Sequence, residues 1–309
     1  MSWRIVYIDQ PCKLSQNNFQ LNLKFEKGTI EFPLEDVAVV IIDTPIAIMT
    51  SALLSSFGEY NIVLVTCDKT HMPIYICRTM KGNSRQVQAE NNQLAMTVPF
   101  KKRVWQAIVS QKIANQGRCL HLLGLKGANK ILKLSREVVS GDSENAEDVE
   151  ANKYFTMLFG EDFVRREVNI TNIGLNYGYS IIRSLMARSL VGAGFILSRG
   201  VHHHSELNAY NLVDDFMEPY RPLVDYIVYK YMEENPPEDM GEVIEELPKE
   251  LKRELLRVIE YTVYIDGKTQ SIRRSTEIMA NSFQTAVRVK DYKELKVPFL
   301  KEIKLYEYE

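Results

Sequence analysis

The pattern of apolar and polar positions changes character about a quarter of the way along the chain. Up to residue 79 the apolar residues fall in short runs, WRIVYI, QLNLKF, TIEFPL, DVAVVII and NIVLVTCD, separated by Asn, Gly, Pro and Asp. Runs of this length, rich in β-branched and aromatic side chains, predict strands. Residues 47 to 59, AIMTSALLSSFGE, predict one intervening helix that ends near Gly58. From 80 to 97 the apolar period is lost, as in a linker or a polar helix. Beyond it apolar residues recur at three and four spacing over 102–115, 146–159, 172–193, 220–234, 243–264 and 269–287, which predicts helices. A Pro-Pro and acidic stretch at 235–241 predicts a surface loop between two of them. The expected architecture is α+β: a small β-rich N-terminal domain, 1–79, then a linker and a larger all-helical domain within 80–309.

Length agrees with two domains, since 309 residues is twice the usual prior of about 150 per domain. The four cysteines are far apart and form no C-x-x-C pair, so neither a disulfide framework nor a zinc knuckle is expected, and a reducing cytoplasm is the simplest setting. No apolar run approaches the roughly 18 residues needed to cross a bilayer, and MSWRIVYIDQ lacks the order of a signal peptide; a membrane-embedded or exported protein is not expected. A net charge of -2 argues against general nucleic-acid coating, yet Lys and Arg gather at 101–103, 126–136, 165–166 and 268–274, so local basic patches remain open.

Two segments carry candidate chemistry. In the helix expected at 146–159, Ala151, Tyr154, Phe155, Leu158 and Phe159 form one apolar stripe on a wheel advancing about 100° per residue. Glu147 lies about 40° from the centre of that stripe, nearer than Asp148 or Glu150. An inward carboxylate needs a partner, a hydrogen bond or a cation; a first-turn acid can also stay wet and complement the helix dipole. Asn145 is the expected N-cap. The second segment is GVHHHSELNAYNLVDDFMEPYRP, 200–222, with His202, His203 and His204 ahead of Asp214, Asp215 and Glu218. If the acids are helical, Glu218 shares a face with either aspartate, and a helix starting just before Pro219 makes one aspartate a cap. His beside carboxylates suits Mn²⁺ or Mg²⁺ better than a closed zinc site. A plain polar loop accounts for the same run. Asn172 and Asn176, four apart, read as polar contacts of a core helix.

Taken in order, WRIVYI, EYNIVLVTCDKTHMPI (59–74), NAEDVEANKYF (145–155), FGEDFVRR (159–166), NIGLNYGYSIIRSLMAR (172–188) and the GVHH…NAYNLVDDFMEPYRP run resemble the CRISPR-associated integrase of spacer acquisition, in the form that accompanies single-protein RNA-guided effector systems. The resemblance covers nearly the whole chain and is less distinctive after about 235. It implies a β-rich N-terminal and a helical C-terminal domain, and a metal site of Glu147, His203 and Glu218. Glu147 stands seven residues before the motif's Tyr154, His203 three after Gly200, and Glu218 in the D-D-x-M-E-P-x-R run. Asp148 and Glu150 depart from the small residues expected beside such a glutamate. The resemblance further implies double-stranded DNA as substrate, Mg²⁺ or Mn²⁺ as cofactor, a homodimer, and a small ferredoxin-like partner that bridges two integrase dimers. The implied reaction is attack of a terminal 3′-hydroxyl on a repeat strand. A nuclease acting on branched or single-stranded DNA without joining would share every motif, and a non-catalytic scaffold would leave the His run and acids as surface.

Overall fold

The computed structural model describes residues 4–69, 73–77, 85–138, 146–236 and 247–307; the side chains of Pro73 and of 146–152 are outside the described set. Asn145 as an N-cap, most of the 235–241 loop and part of the 80–97 segment therefore lie outside the described residues. Contacts divide the chain into two units, Met1–Ser84 and Arg85–Glu309.

The first unit is strand-rich. One sheet has the order β1 (Arg4–Ile8), β5 (Val37–Ile42), β7 (Val63–Cys67), β8 (Pro73–Cys77), with β1, β5 and β7 parallel and β8 antiparallel. All six residues of β5, VAVVII, are buried, as a strand flanked on both edges and covered on both faces should be. The second sheet has the order β4 (Gly28–Pro33), β3 (Gln20–Phe25), β2 (Cys12–Asn17), β6 (Ala47–Met49). β2 and β3 turn through Asn18 and Phe19, both at positive φ (47° and 60°), the conformation a two-residue hairpin of matching twist requires. Helix α1 (Ser51–Glu59) starts at Thr50, whose hydroxyl accepts the Leu53 N–H, and buries Leu53 and Phe57. Only the latter part of the helix expected at 47–59 is helical, because residues 47–49 pair with β2.

The second unit is helical: α2 (Gln86–Leu94), α3 (Val98–Leu122), α4 (Ala128–Leu134), α5 (Ala146–Phe159), α6 (Ile170–Gly192), α7 (Asn211–Met217), α8 (Arg221–Glu234), α9 (Lys249–Leu256) and α10 (Ile272–Val289). Tyr154 and Leu158 of the stripe on α5 are buried. On α6, Asn172 and Asn176 both accept from the Arg165 guanidinium, at 3.1 and 2.8 Å. The helix expected over 243–264 is corrected: α9 gives way to a 3-10 turn at Arg257–Glu260 and then to β9 (Thr262–Ile265), which pairs with β10 (Lys268–Ser271). Asp266 and Gly267, at φ 51° and 78°, form the turn, so an Asp-Gly signal overrode the apparent helical period. The helical domain thus contains one small hairpin. Among the described residues no helix is long and apolar enough to cross a membrane.

Helices α6 and α8 meet at Gly178, where a Cβ would lie 2.4 Å from Val224 Cγ1 and 2.9 Å from Leu255 Cδ2. Gly178→Ala is expected to destabilise the protein by about 1–3 kcal/mol through overpacking. A lowered Tm at unchanged helical circular dichroism checks this; an unaltered Tm would show that the two helices can separate without cost.

Candidate functional site

The connection from α6 to α7 carries the three histidines, and buried polar side chains hold it from both sides. Gln93 of α2 accepts the Ile196 N–H at 2.8 Å and donates to the carbonyls of Ile196 and Arg199 at 3.0 and 2.8 Å. Asn211, at the start of α7, donates to the carbonyls of Ser198 and Ser205 at 3.2 and 2.8 Å. Between them stands Asp215, with no exposed surface. Its carboxylate accepts the backbone N–H groups of Val201, His202 and His203 at 2.6, 3.1 and 3.0 Å, and Nδ1–H of His203 at 2.7 Å. A buried carboxylate is costly unless its lone pairs are met, and four donors meet these. Because Asp215 engages Nδ1–H, Nε2 is the ring nitrogen at which His203 exchanges its second proton or could ligate a metal, the arrangement that fixes a metal-ligating or basic imidazole. Gly200 lets the loop come this close, since a Cβ there would stand 2.3 Å from the His203 carbonyl oxygen and 2.7 Å from Asp215 Oδ2.

The three histidines differ in consequence. His202 stacks on Trp105 of α3, centroids 4.1 Å apart and planes 3° from parallel. His204 is paired through Nδ1 with the His202 carbonyl at 2.8 Å and faces outward. His203 has its ring Nδ1 against the buried Asp215 carboxylate, and the ring also meets Trp105 edge-on at 5.7 Å. Both His203 and His204 line a cleft of about 560 Å³ with Lys101, Arg199, Gly200, Glu206 and other residues of the loop.

Glu218 opens the 3-10 turn Glu218–Tyr220 that joins α7 to α8, with Pro219 in that turn. Helix α3 organises this region through one face: seven residues after Trp105 comes Lys112, whose ammonium lies 2.6 Å from Glu218 Oε2, and three later Asn115, which donates to the Pro219 carbonyl at 2.7 Å. Arg221 Nε lies 2.9 Å from Glu218 Oε1. Both are close ion pairs: Lys112 sits at hydrogen-bond distance from Oε2, whereas Arg221 Nε is not aligned for a hydrogen bond. Burial pushes the Glu218 carboxyl up, but the charges of Arg221 and Lys112, the Lys112 hydrogen bond and, more weakly, the charge of a protonated His203 together hold it below its ordinary 4.5. Glu218 is therefore an ionised carboxylate in a dry, positively charged setting.

Asp225 is a third buried carboxylate in this region. Asp225 of α8 accepts from the Tyr154 hydroxyl at 2.9 Å and from the Tyr179 hydroxyl. Burial pushes the Asp225 carboxyl up to about 6. Burial and the Asp225 charge push both phenols well above their usual range, so they stay protonated donors.

Asp214 and Asp215 both lie inside α7, whose N-cap is Tyr210, so neither caps a helix. Asp214 is occupied by Arg183, at 2.7 and 3.0 Å, and by Asn208 at 2.7 Å. The backbone of Glu147 lies in the first turn of α5, but its side chain is outside the described residues. Among the described residues no three His, Cys, Asp or Glu side chains are grouped to hold a metal. The residues not foreseen from sequence are Trp105, Lys112, Gln93 and Asp225. Arg221 stood in the quoted D-D-x-M-E-P-x-R run without a role assigned to it.

Two outcomes follow from this geometry. Gly200→Ala should displace His203 from Asp215, seen as loss of the downfield Nδ1–H resonance of a carboxylate-bound imidazole in a protein that remains folded; a retained resonance would show that the loop tolerates a Cβ. Because the folded pKa of Asp225 is raised above the ordinary 3.8 to about 6, the folded form binds the extra proton, and this group's contribution to stability falls as pH rises between about 4 and 6. The loss is up to about 3 kcal/mol. Denaturant unfolding across that window should show wild type losing stability relative to Asp225→Asn as pH rises, and parallel curves would contradict it.

A family model described as CRISPR associated protein Cas1 matches residues 6–257. The CRISPR-associated endonuclease Cas1 of Neisseria meningitidis serogroup C (strain 8013) is 37% identical over 310 residues, covering 100% of both chains. A solved casposase bound to integration product aligns with TM-score 0.75 at 15% identity, over 94% of this chain and 93% of that one. A chain of a Cas6-RT-Cas1–Cas2 complex aligns with TM-score 0.74 at 20% identity, over 95% of this chain and 36% of that one. At those identities the two structures speak for the fold, a strand-rich N-terminal part followed by a helical one. With the family model spanning most of the sequence and a full-length relative above 30% identity, this chain belongs to the Cas1 family of CRISPR-associated proteins.

Proposed function

We propose that this chain is a divalent-metal-dependent DNA integrase that inserts short DNA fragments into a CRISPR repeat array, with Glu147, His203 and Glu218 holding Mg²⁺ or Mn²⁺. The observation that carries the proposal is the Asp215 clamp, which turns His203 into a fixed Nε2 donor in the charge neighbourhood of the buried, ionised Glu218. The donor set, one nitrogen and carboxylate oxygens, suits a hard or borderline divalent ion. A metal bound there would polarise the target phosphodiester and lower the pKa of the attacking hydroxyl.

The protein's own groups supply the rest. Lys112 and Arg221, fixed beside Glu218, provide preorganised positive charge for a phosphoryl group that gains negative charge during displacement. The stacked Trp105–His202 pair and the Asp215 clamp hold His203 so that little reorganisation is needed. In the reaction a terminal 3′-oxygen forms a bond to the target phosphorus as the bond to the departing 3′-oxygen breaks. One phosphodiester replaces another, and no external energy source is required. Lys101 and Arg199 on the cleft beside His203 are suited to contact phosphates of the DNA backbone. A homodimer, joined by a small ferredoxin-like partner, is the assembly in which we expect this chain to act; the solved Cas6-RT-Cas1–Cas2 complex, one chain of which shares this fold, supports the partner.

The test supplies a 3′-hydroxyl duplex, a supercoiled repeat-bearing target and Mn²⁺, with and without the small partner. Joined product should form with wild type and fall at least about 100-fold with Glu147→Ala, His203→Ala or Glu218→Ala. His204→Ala should retain joining. Cleavage without joined product would favour a stand-alone nuclease, and undiminished joining by the Glu147 or Glu218 variant would overturn the site. Lys101→Ala and Arg199→Ala should each weaken duplex binding irrespective of sequence and reduce the salt slope by about one; unchanged slopes would remove the cleft from the DNA path.

A further inference from the structure

The buried Asp225 lies outside the groups assigned above, yet it joins the two helical segments that carry the proposed glutamates. Two side-chain contacts link α5 and α8: Tyr154 meets Asp225 at 2.9 Å, and further along both chains Phe159 meets Tyr229, ring centroids 6.2 Å apart. The contacts thus advance five residues on α5 and four on α8 in the same sense. Stepping back along both, Glu147 precedes Tyr154 by seven residues and Glu218 precedes Asp225 by seven. Seven residues are two helical turns, about 10 Å of rise on each helix, somewhat more where the path to Glu218 crosses its 3-10 turn. The Tyr154–Asp225 hydrogen bond therefore fixes the level at which position 147 stands relative to Glu218.

A second connection runs through Tyr179 of α6, which also donates to Asp225. Two guanidinium groups lie over its ring, Arg221 at 4.8 Å and Arg165 at 5.5 Å from the centroid. Arg221 is the same group that pairs with Glu218. One carboxylate thus orients both the helix bearing Glu147 and the arginine against Glu218. We infer that Asp225 is a positioning residue whose carboxylate, through Tyr154 and Tyr179, pins the register of α5 against α8 and so brings the positions of Glu147 and Glu218 abreast. The inference deepens the proposed metal centre and rests on it for its catalytic consequence, while the register itself is independent of any metal.

Two measurements separate those levels. Spin labels at Lys153→Cys on α5 and Glu233→Cys on α8, in a Cys67→Ser/Cys77→Ser background, report the register by their distance distribution. It should be narrow with Asp225 and shift or broaden in Asp225→Ala, with Tyr154→Phe changing it in the same direction. Mn²⁺ binding and joining report the consequence. Asp225→Ala should weaken Mn²⁺ about 10–100-fold and lower joining kcat by a similar factor at unchanged KM for DNA. Asp225→Asn, whose amide oxygen still accepts one phenol, should recover part of both losses. If Asp225→Ala does not fold, Tyr154→Phe and Asp225→Asn carry the same comparison. A folded variant that keeps both the label distance and the Mn²⁺ affinity overturns the inference. If wild type binds no Mn²⁺ while the distance still depends on Asp225, the register role stands and the metal reading falls.

Discussion

The arrangement depends first on the burial of one carboxylate. Asp215 has no exposed surface, and its ionised form is tolerable there only because three consecutive backbone N–H groups and an imidazole N–H converge on it. Convergence of that kind dictates the path of the loop from Gly200 to His203. It excludes a side chain at Gly200, presents the His202 ring to Trp105, and fixes which nitrogen of His203 carries the proton. The loop is irregular in secondary structure but has few unsatisfied choices left.

Around that clamp, helix α3 acts as a common wall. Trp105, Lys112 and Asn115 recur at seven and three residues, so a single face meets the histidine loop, the Glu218 carboxylate and the Pro219 carbonyl in turn. The positive charges against Glu218 keep it ionised although burial opposes that state. Asp225 shows the reverse balance: two phenol donors and the charges of Arg165 and Arg221 do not fully offset burial, and its pKa rises to about 6. Glu218 is thereby held ionised, and Asp225 holds the Tyr154 and Tyr179 phenols.

The division into a strand-rich and a helical part was legible because the period of apolar residues changes from two to near 3.6 along the chain. The inward stripe on α5 was legible for the same reason, with Tyr154 and Leu158 buried as that stripe requires. The β9–β10 hairpin was present in the sequence as alternation around Asp266–Gly267, but a helical period read across 243–264 obscured it. Asp215 was harder. Spacing places it on a face with Glu218, yet only the fold shows that its oxygens turn toward the loop and away from a capping role. Lys112 carried no signal, since a lysine within a long helix usually faces water. Its burial follows from where Glu218 arrives, a long-range event that no local pattern encodes.

The central claim is that His203, held through Nδ1 by Asp215, presents Nε2 to a divalent ion. The most direct measurement is electron spin-echo spectroscopy of Mn²⁺ bound to the full chain, titrated to one ion per protomer. The account predicts modulation from one directly coordinated imidazole nitrogen, lost in His203→Gln and kept in His202→Gln and His204→Gln. Nitrogen modulation that survives in His203→Gln, or none in the wild type with Mn²⁺ bound, would contradict it.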